Sequence, residues 1–217
     1  MGLPRAEAER VVPLTVDQVR ALADAMPQRY RAMVTVQAGL GLRLGELLAL
    51  RTEDVNFLGR TVRIEQQIAS GSRVRSEPKT PRSRRTLPLP TVVAEVLAAH
   101  MQAFPAGVDG TLFTTREGRP LTHSFYGTVT FSRAVARAEL PAGTTSHALR
   151  HAYASWLLAA GESVVAVAER LGHCNAQLVL TTYGHLLPDS EDRTRSAIDS
   201  AWNAAPGEAA TAQGRPR

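Results

Sequence analysis

Between Thr145 and His185 of a 217-residue chain lie four of the six histidines, the single cysteine and, close to the end of the stretch, Tyr183. The polar points of this stretch, SHALR, LGHC and TTYGH, are separated by two apolar patterns of helical period. Folding would gather such points on one site. His147 and Arg150 are three residues apart, in the first turn of a helix that Thr145 or Ser146 can cap, so they share a face. Two cations at a helix start oppose its dipole by roughly 0.3–1 kcal/mol each. That placement makes sense where an anion uses both the side chains and the free backbone N–H groups. The plainer reading is a buried, hydrogen-bonded histidine beside a surface arginine.

The same arrangement recurs upstream. In Gly41-Leu-Arg-Leu-Gly-Glu46, Arg43 enters a helix after a glycine turn, and Glu46 is spaced to hold its guanidinium. His173 follows a helix stop at Gly172, just before Asn175, a possible cap. Tyr183 falls on the apolar side of a short helix with Val179 and Leu180, with Gly184 as its C′ residue. Taken singly, these read as a surface ion pair, a turn histidine and a core tyrosine. A metal is the competing guest for His147 and His151, which are four residues apart. Yet HALRH lacks the glutamate of H-E-x-x-H, and Arg150 between the ligands would repel a cation, so an anion fits better. Lys79 is the single lysine among 25 basic residues. Codon bias toward arginine explains that blandly. The chemical alternative is a site where arginine cannot serve, because lysine can be tuned to give up a proton and arginine cannot.

The elements that must position these residues are legible in outline. Hydrophobic residues make up 44 % of the chain and aromatics 5 %, enough for a core of Leu, Val and Ala. No run approaches eighteen apolar residues, and MGLPRAEAER has no apolar signal segment. One cysteine excludes an internal disulfide and disfavours a thiolate zinc site. Helices are predicted from Thr15, from Gln28 to Ala38, from Arg43 or Leu44 to Leu50, over Thr91–Gln102, and from Thr122 to Ala138. Further helices are predicted over 146–160, 163–171 and 175–183, and from 189 or 190 to Ala204. Between them, Thr61–Ile68, Arg73–Glu77 and Arg84–Leu89 read as three antiparallel strands. The span Arg60–Arg85 carries eight basic and two acidic residues, concentrated on a hairpin with a Pro-Lys-Thr-Pro tip. With a net charge of +5, this directs attention to a polyanion, and Arg73, Arg75, Arg82, Arg84 and Arg85 become candidates for DNA-backbone contact.

Four stretches, GLGLRLGELLALRTEDV, KTPRSRRTLPLP, HALRHAYASWLL and LGHCNAQLVLTTYGH, together resemble the tyrosine recombinase (phage integrase) family, in its order and at its separations. The resemblance covers about residues 13–190. It implies the α+β, predominantly helical catalytic fold of DNA breaking-rejoining enzymes, with a small three-stranded antiparallel sheet. It also implies site-specific recombination, integration or excision, by strand cleavage and rejoining through a 3′-phosphotyrosyl intermediate. Carried onto this sequence, Tyr183 is the nucleophile and Arg43, Arg150 and His173 bind the phosphate. His147 shares phosphate binding with proton transfer, Lys79 is the general acid for the 5′-oxygen, and Glu46 positions Arg43. The implied reaction needs no cofactor and no metal, because the arginines supply the positive charge.

The expected organisation is a linker remnant over 1–12, a catalytic domain over 13–204 and a disordered tail over 205–217. The N-terminal core-binding domain typical of the family is expected to be absent. The expected partners are double-stranded DNA and a homotetramer on paired sites, in the bacterial cytoplasm at the nucleoid, with no membrane. The helix near 190–204 resembles an element that often packs on a neighbouring protomer. Two other readings remain: a DNA-binding remnant that keeps the fold but does not cleave, and a type IB topoisomerase-like activity.

Overall fold

A computed structural model describes residues 12–78, 83–172, 176–184 and 191–203. The chain divides into two units, 1–186 and 187–217. In the first, helix α1 (Val16–Ala25) starts at Thr15, whose hydroxyl accepts from the Gln18 N–H while the Gln18 side chain accepts from the Thr15 N–H. Its apolar stripe, Val19, Leu22 and Ala23, is buried as its period predicts. Helix α2 (Gln28–Leu40) is the central element. It packs against α1, against α4 (Thr91–Ala103) and against α6 (His147–Ala159), and buries Met33, Val34, Val36 and Leu40. It runs two residues past the predicted Ala38, through Gly39, and ends at Gly41. Val93 and Leu97 of α4 are buried, and Val92 is 56 % exposed.

Helix α3 (Leu44–Ala49) follows after three residues, and the β region begins just beyond it. Strands β1 (Val55–Asn56), β2 (Thr61–Ile64) and β5 (Arg85–Pro88) form the three-stranded antiparallel sheet in the order β1-β2-β5. The expected strand Thr61–Ile68 is in fact two. Beyond Ile64 the chain leaves the sheet, and β3 (Gln67–Ile68) pairs with β4 (Arg75–Ser76) as a separate ribbon. The reason lies in the pairing. Ile64 is matched to Arg85 and Val62 to Leu87, so β5 takes one edge of β2 and leaves no place for β4. The other edge is filled by β1, which pattern reading missed because it is two residues long. Its turn is closed by Asn56 Oδ1 accepting from Gly59 N–H at 2.7 Å, with Arg60 at φ 49°.

Leu112 and Phe113 are buried, and Gly118 makes the following turn at φ 74°. Thr122 Oγ1 accepts from the Phe125 N–H. The helix predicted from there opens as a π-helix (Ser124–Phe131) and only then becomes α5 (Ser132–Arg137). The hydroxyls of Thr130 and Ser132 donate to carbonyls five residues back, which suits that wider turn. Helices α6, α7 (Val164–Leu171) and α8 (Ala176–Tyr183) complete the unit. They carry a second apolar cluster of Tyr153, Leu158, Val167, Leu171, Val179 and Tyr183, beside the main core of α1–α5 and the sheet. The second unit is described by α9 (Glu191–Asn203), an amphipathic helix with a Glu191–Arg195 ion pair and exposed Ile198 and Trp202. No described helix is long and apolar enough to cross a membrane.

Candidate active site

The site is built where several helices end. Gly41, just past α2, is left-handed at φ 63°, and a Cβ there would come within 2.4 Å of the Tyr153 ring, so only glycine lets the chain pass against α6. Two residues on, Arg43 precedes α3. Glu46 Oε2 accepts from the Arg43 N–H at 2.8 Å, and Glu46 Oε1 accepts from Arg43 Nη1 at 3.1 Å. The predicted Arg43–Glu46 pair is therefore present, and it is no ordinary surface bridge, because the Glu46 side chain is only 2 % exposed.

A second cation explains that burial. Arg85 donates to both oxygens of Glu46, at 3.0 and 2.9 Å, and its own side chain is 7 % exposed. Burial alone would raise the Glu46 pKa. The hydrogen bonds and charge of Arg85, the Arg43 N–H and the charge of Arg150 outweigh it and hold the carboxyl below its ordinary range. Arg85 was expected on the DNA backbone; the structure turns it inward instead. Arg75 is likewise turned in. It donates to Asp109 at 2.6 Å and to the Ala49 carbonyl, it also bonds Thr111, and with Thr111 it keeps the Asp109 carboxylate well below its usual range. Among the hairpin candidates Arg73 and Arg84 remain on the surface, Arg84 paired with Glu77. Arg82 and Lys79 lie outside the described residues, as does His173.

The C-terminal end of α7 gathers the arginines. Arg85 Nε donates to the Arg170 carbonyl at 2.6 Å, Arg150 Nη2 to the Leu171 carbonyl at 2.6 Å, and Arg43 Nη2 to the Gly172 carbonyl at 3.2 Å. Three successive carbonyls that a helix end leaves without partners thus take guanidiniums from β5, α6 and the start of α3. The negative end of the α7 dipole favours the same arrangement. Arg150 also donates to the Gly41 carbonyl at 2.7 Å and is 2 % exposed. Burial and the charge of Arg43 push its pKa down, yet an arginine stays protonated at neutral pH. Ser146 stands at the expected cap position of α6, but it is already helical at φ −58°, ψ −20°, and its hydroxyl makes no capping bond.

Across from the arginines stands a neutral group of three rings. Tyr183 closes α8, 3 % exposed, with Val179 buried beside it; Leu180, expected on the same face, is turned out, and Gly184 is not left-handed. The Tyr183 hydroxyl is hydrogen-bonded to His151 Nδ1. Burial pushes the phenol up to about 12, with Arg150 opposing. His147 and His151 meet edge to face, with centroids 4.7 Å apart. Solvent reaches His147, but desolvation by the protein packed around it, then His151, Arg150 and Arg43, push its pKa down to about 4, so it is neutral at pH 7. His151 and Arg85 are the residues of this site that sequence reasoning misplaced. The signals available were the four-residue spacing of His151 from His147, one helical turn on the same face, and the position of Arg85 on the inward side of a strand beside Leu87. A groove of about 720 Å³ between α1, α2 and α4 shares none of these side chains.

A helix-rich α+β domain with a small antiparallel sheet carries arginines, histidines and a tyrosine at its converging helix ends. The model of the phage integrase family matches residues 13–189, and the chain belongs to that family. It is 29 % identical over 226 residues to a tyrosine recombinase XerC-like protein of Caldanaerobacter subterraneus subsp. tengcongensis, covering 93 % of this chain and 57 % of that one. It is 31 % identical over 188 residues to tyrosine recombinase XerD of Corynebacterium glutamicum, covering 82 % of this chain and 58 % of that one. The chain thus spans somewhat over half the length of these relatives. Among solved structures, the Tn1549 transposon integrase in complex with circular intermediate DNA superposes with a TM-score of 0.75 at 26 % identity, over 90 % of this chain and 68 % of that one. The catalytic domain of bacteriophage HP1 integrase shares the fold, with a TM-score of 0.59 at 20 % identity, over 91 % of this chain and all of that one.

Proposed function

We propose that this chain cleaves and rejoins DNA through a covalent 3′-phosphotyrosyl intermediate, as the catalytic part of a site-specific recombinase acting on double-stranded DNA in paired sites. The observation that carries the reading is the meeting of the buried Tyr183 hydroxyl with a site that also holds Arg43, Arg150 and two neutral histidines. A phosphodiester is an anion, and the site offers fixed cations without a carboxylate left free to repel it, because Glu46 is bound by both Arg43 and Arg85. Tyr183 Oη attacks phosphorus, exchanging one phosphoester for another without hydrolysis, so the bond energy is kept for rejoining. Arg43 and Arg150 stabilise the charge that grows on the non-bridging oxygens. His147 contacts the same phosphate. On the sequence resemblance, His173 adds a further donor and Lys79 protonates the leaving 5′-oxygen. A homotetramer on paired DNA sites is part of the same proposal. The test is covalent capture on nicked duplex DNA. Wild-type protein should form an adduct that survives denaturation and Tyr183→Phe should form none; an adduct in the phenylalanine variant sinks the assignment.

A further inference from the structure

His151 holds the position that a proton acceptor for the nucleophile requires. Its Nδ1 is hydrogen-bonded to the Tyr183 hydroxyl, while His147, one turn earlier on α6, meets His151 edge to face. We infer that His151, and not His147, is the catalytic residue that takes the phenolic proton as Tyr183 attacks, an inference that rests on Tyr183 being the nucleophile.

Four observations support it. First, a nucleophile and its base must be within hydrogen-bonding reach, and this is the contact made by the tyrosine hydroxyl. Second, the phenol needs help, since a hydroxyl buried in the α6–α7–α8 cluster ionises less readily than one in water. Third, His151 is set up to accept. The charged and titratable groups around it are His147 and Arg150 on its own helix and Tyr183 on α8, and no carboxylate among the described groups acts on it. Burial, then Arg150, lower its pKa and favour the neutral ring; the role inferred for it puts its hydrogen on Nε2, so that Nδ1 accepts from the Tyr183 hydroxyl. Fourth, a phosphate arriving beside Arg43 and Arg150 adds negative charge next to the ring, which favours the imidazolium at the moment the proton arrives.

The step balances. The Tyr183 O–H bond breaks and its proton goes to His151 Nδ1. The Tyr183 Oη–phosphorus bond forms as the phosphorus–5′-oxygen bond breaks, and the 5′-oxygen takes its proton from the general acid. In rejoining the 5′-hydroxyl gives its proton back to the general acid and attacks phosphorus, the Tyr183 ester bond breaks, and Nδ1–H returns its proton to the phenolate. His147 is then left to bind phosphate throughout.

Two experiments on the full chain decide the matter. In the free protein, imidazole nitrogen NMR should find His151 as the neutral Nε2–H tautomer at pH 7, with an Nδ1 signal that moves in Tyr183→Phe. The other tautomer, or an Nδ1 signal indifferent to that change, overturns the inference. With a 5′-labelled pool of nicked duplexes of randomised core sequence, His151→Ala should slow adduct formation by about 10²–10⁴-fold. Replacing Tyr183 by a difluorotyrosine, which ionises without a base, should restore most of the rate in that variant. Undiminished cleavage in His151→Ala, or no restoration in a variant of unchanged melting temperature, overturns it. Tyr183→Phe run in parallel separates the failures: an adduct there removes the nucleophile itself, whereas its loss there with full activity in His151→Ala removes only the role of His151.

Discussion

The two halves of the site are held by opposite means. On one side Arg43, Arg85 and Arg150 each bond a carbonyl at the end of α7, and Arg43 and Arg85 share one carboxylate, Glu46. On the other, Tyr183, His151 and His147 carry no formal charge at neutral pH and are joined by ring contacts and one hydrogen bond. The arginine half is a fixed positive field, set before any anion arrives, so stabilising the charge of a transition state requires little rearrangement. An uncharged tyrosine half suits the proposed proton transfer, because the phenol still holds the proton to be given and a neutral imidazole can take it. A mutation in the first half should therefore act on charge and stability, and one in the second on proton transfer.

The largest effect that tests this division is expected at Arg150. Arg150→Lys keeps a charge but loses the planar fork that spans the Gly41 and Leu171 carbonyls. Single-turnover cleavage should fall by about 10²–10³-fold while equilibrium DNA binding changes far less. An equal loss in both would place Arg150 in general DNA affinity and erase the distinction.

Glu46→Gln comes next and probes what holds the arginines. It leaves Arg85 buried without its charged partner, at a cost of about 3–5 kcal/mol, or about 2–4 °C of melting temperature for each kcal/mol in a domain of this size. The pH dependence follows from the lowered pKa of Glu46. Because the folded carboxyl ionises more readily than the unfolded one, its stabilisation is complete above the unfolded pKa, near 4.5, and is lost as pH falls through the folded value. Thermal melts from pH 7 downward should show a shallower acid limb in Glu46→Gln than in the wild type. An unchanged acid limb would show that the arginine half is not organised by this carboxylate.

The smallest effect separates arginines that hold the fold from those left on its surface. Arg84→Ala should leave the melting temperature within a degree or so, since an exposed pair such as Arg84–Glu77 contributes about 0–1 kcal/mol. If Arg84 neutralises one phosphate, the slope of log affinity against log salt should drop by about 1. Arg75→Ala should do the reverse, lowering stability through the loss of its bonds to Asp109 and Ala49 with little change in the salt slope.

Much of this was legible in one dimension. The helical period of α1, the Thr15 cap, the glycine turn before Arg43, and the spacing of Arg43 to Glu46 and of His147 to Arg150 are local facts, set by sterics and hydrogen bonding within a few residues. So is the placing of Tyr183 on the buried side of a short helix, although Leu180 shows how little an eight-residue segment constrains its apolar face. The family's order of motifs added what no single motif could, and the match over residues 13–189 agrees with it.

Which polar side chain meets which was not local. Arg84 and Arg85 are neighbours with the same chemistry, yet Arg84, just before β5, lies on the surface with Glu77 and Arg85, the first residue of β5, reaches Glu46, 39 residues away along the chain. The choice between His147 and His151 depends on how α8 docks on α6, where a shift of one turn exchanges the partner of the tyrosine. Sequence by itself determined the inventory, an anion site of arginines, histidines and one tyrosine, because residue type and short-range spacing set chemistry and local helix faces. Only the tertiary structure decided which of these side chains meet, because contacts between elements distant in the chain depend on how those elements pack.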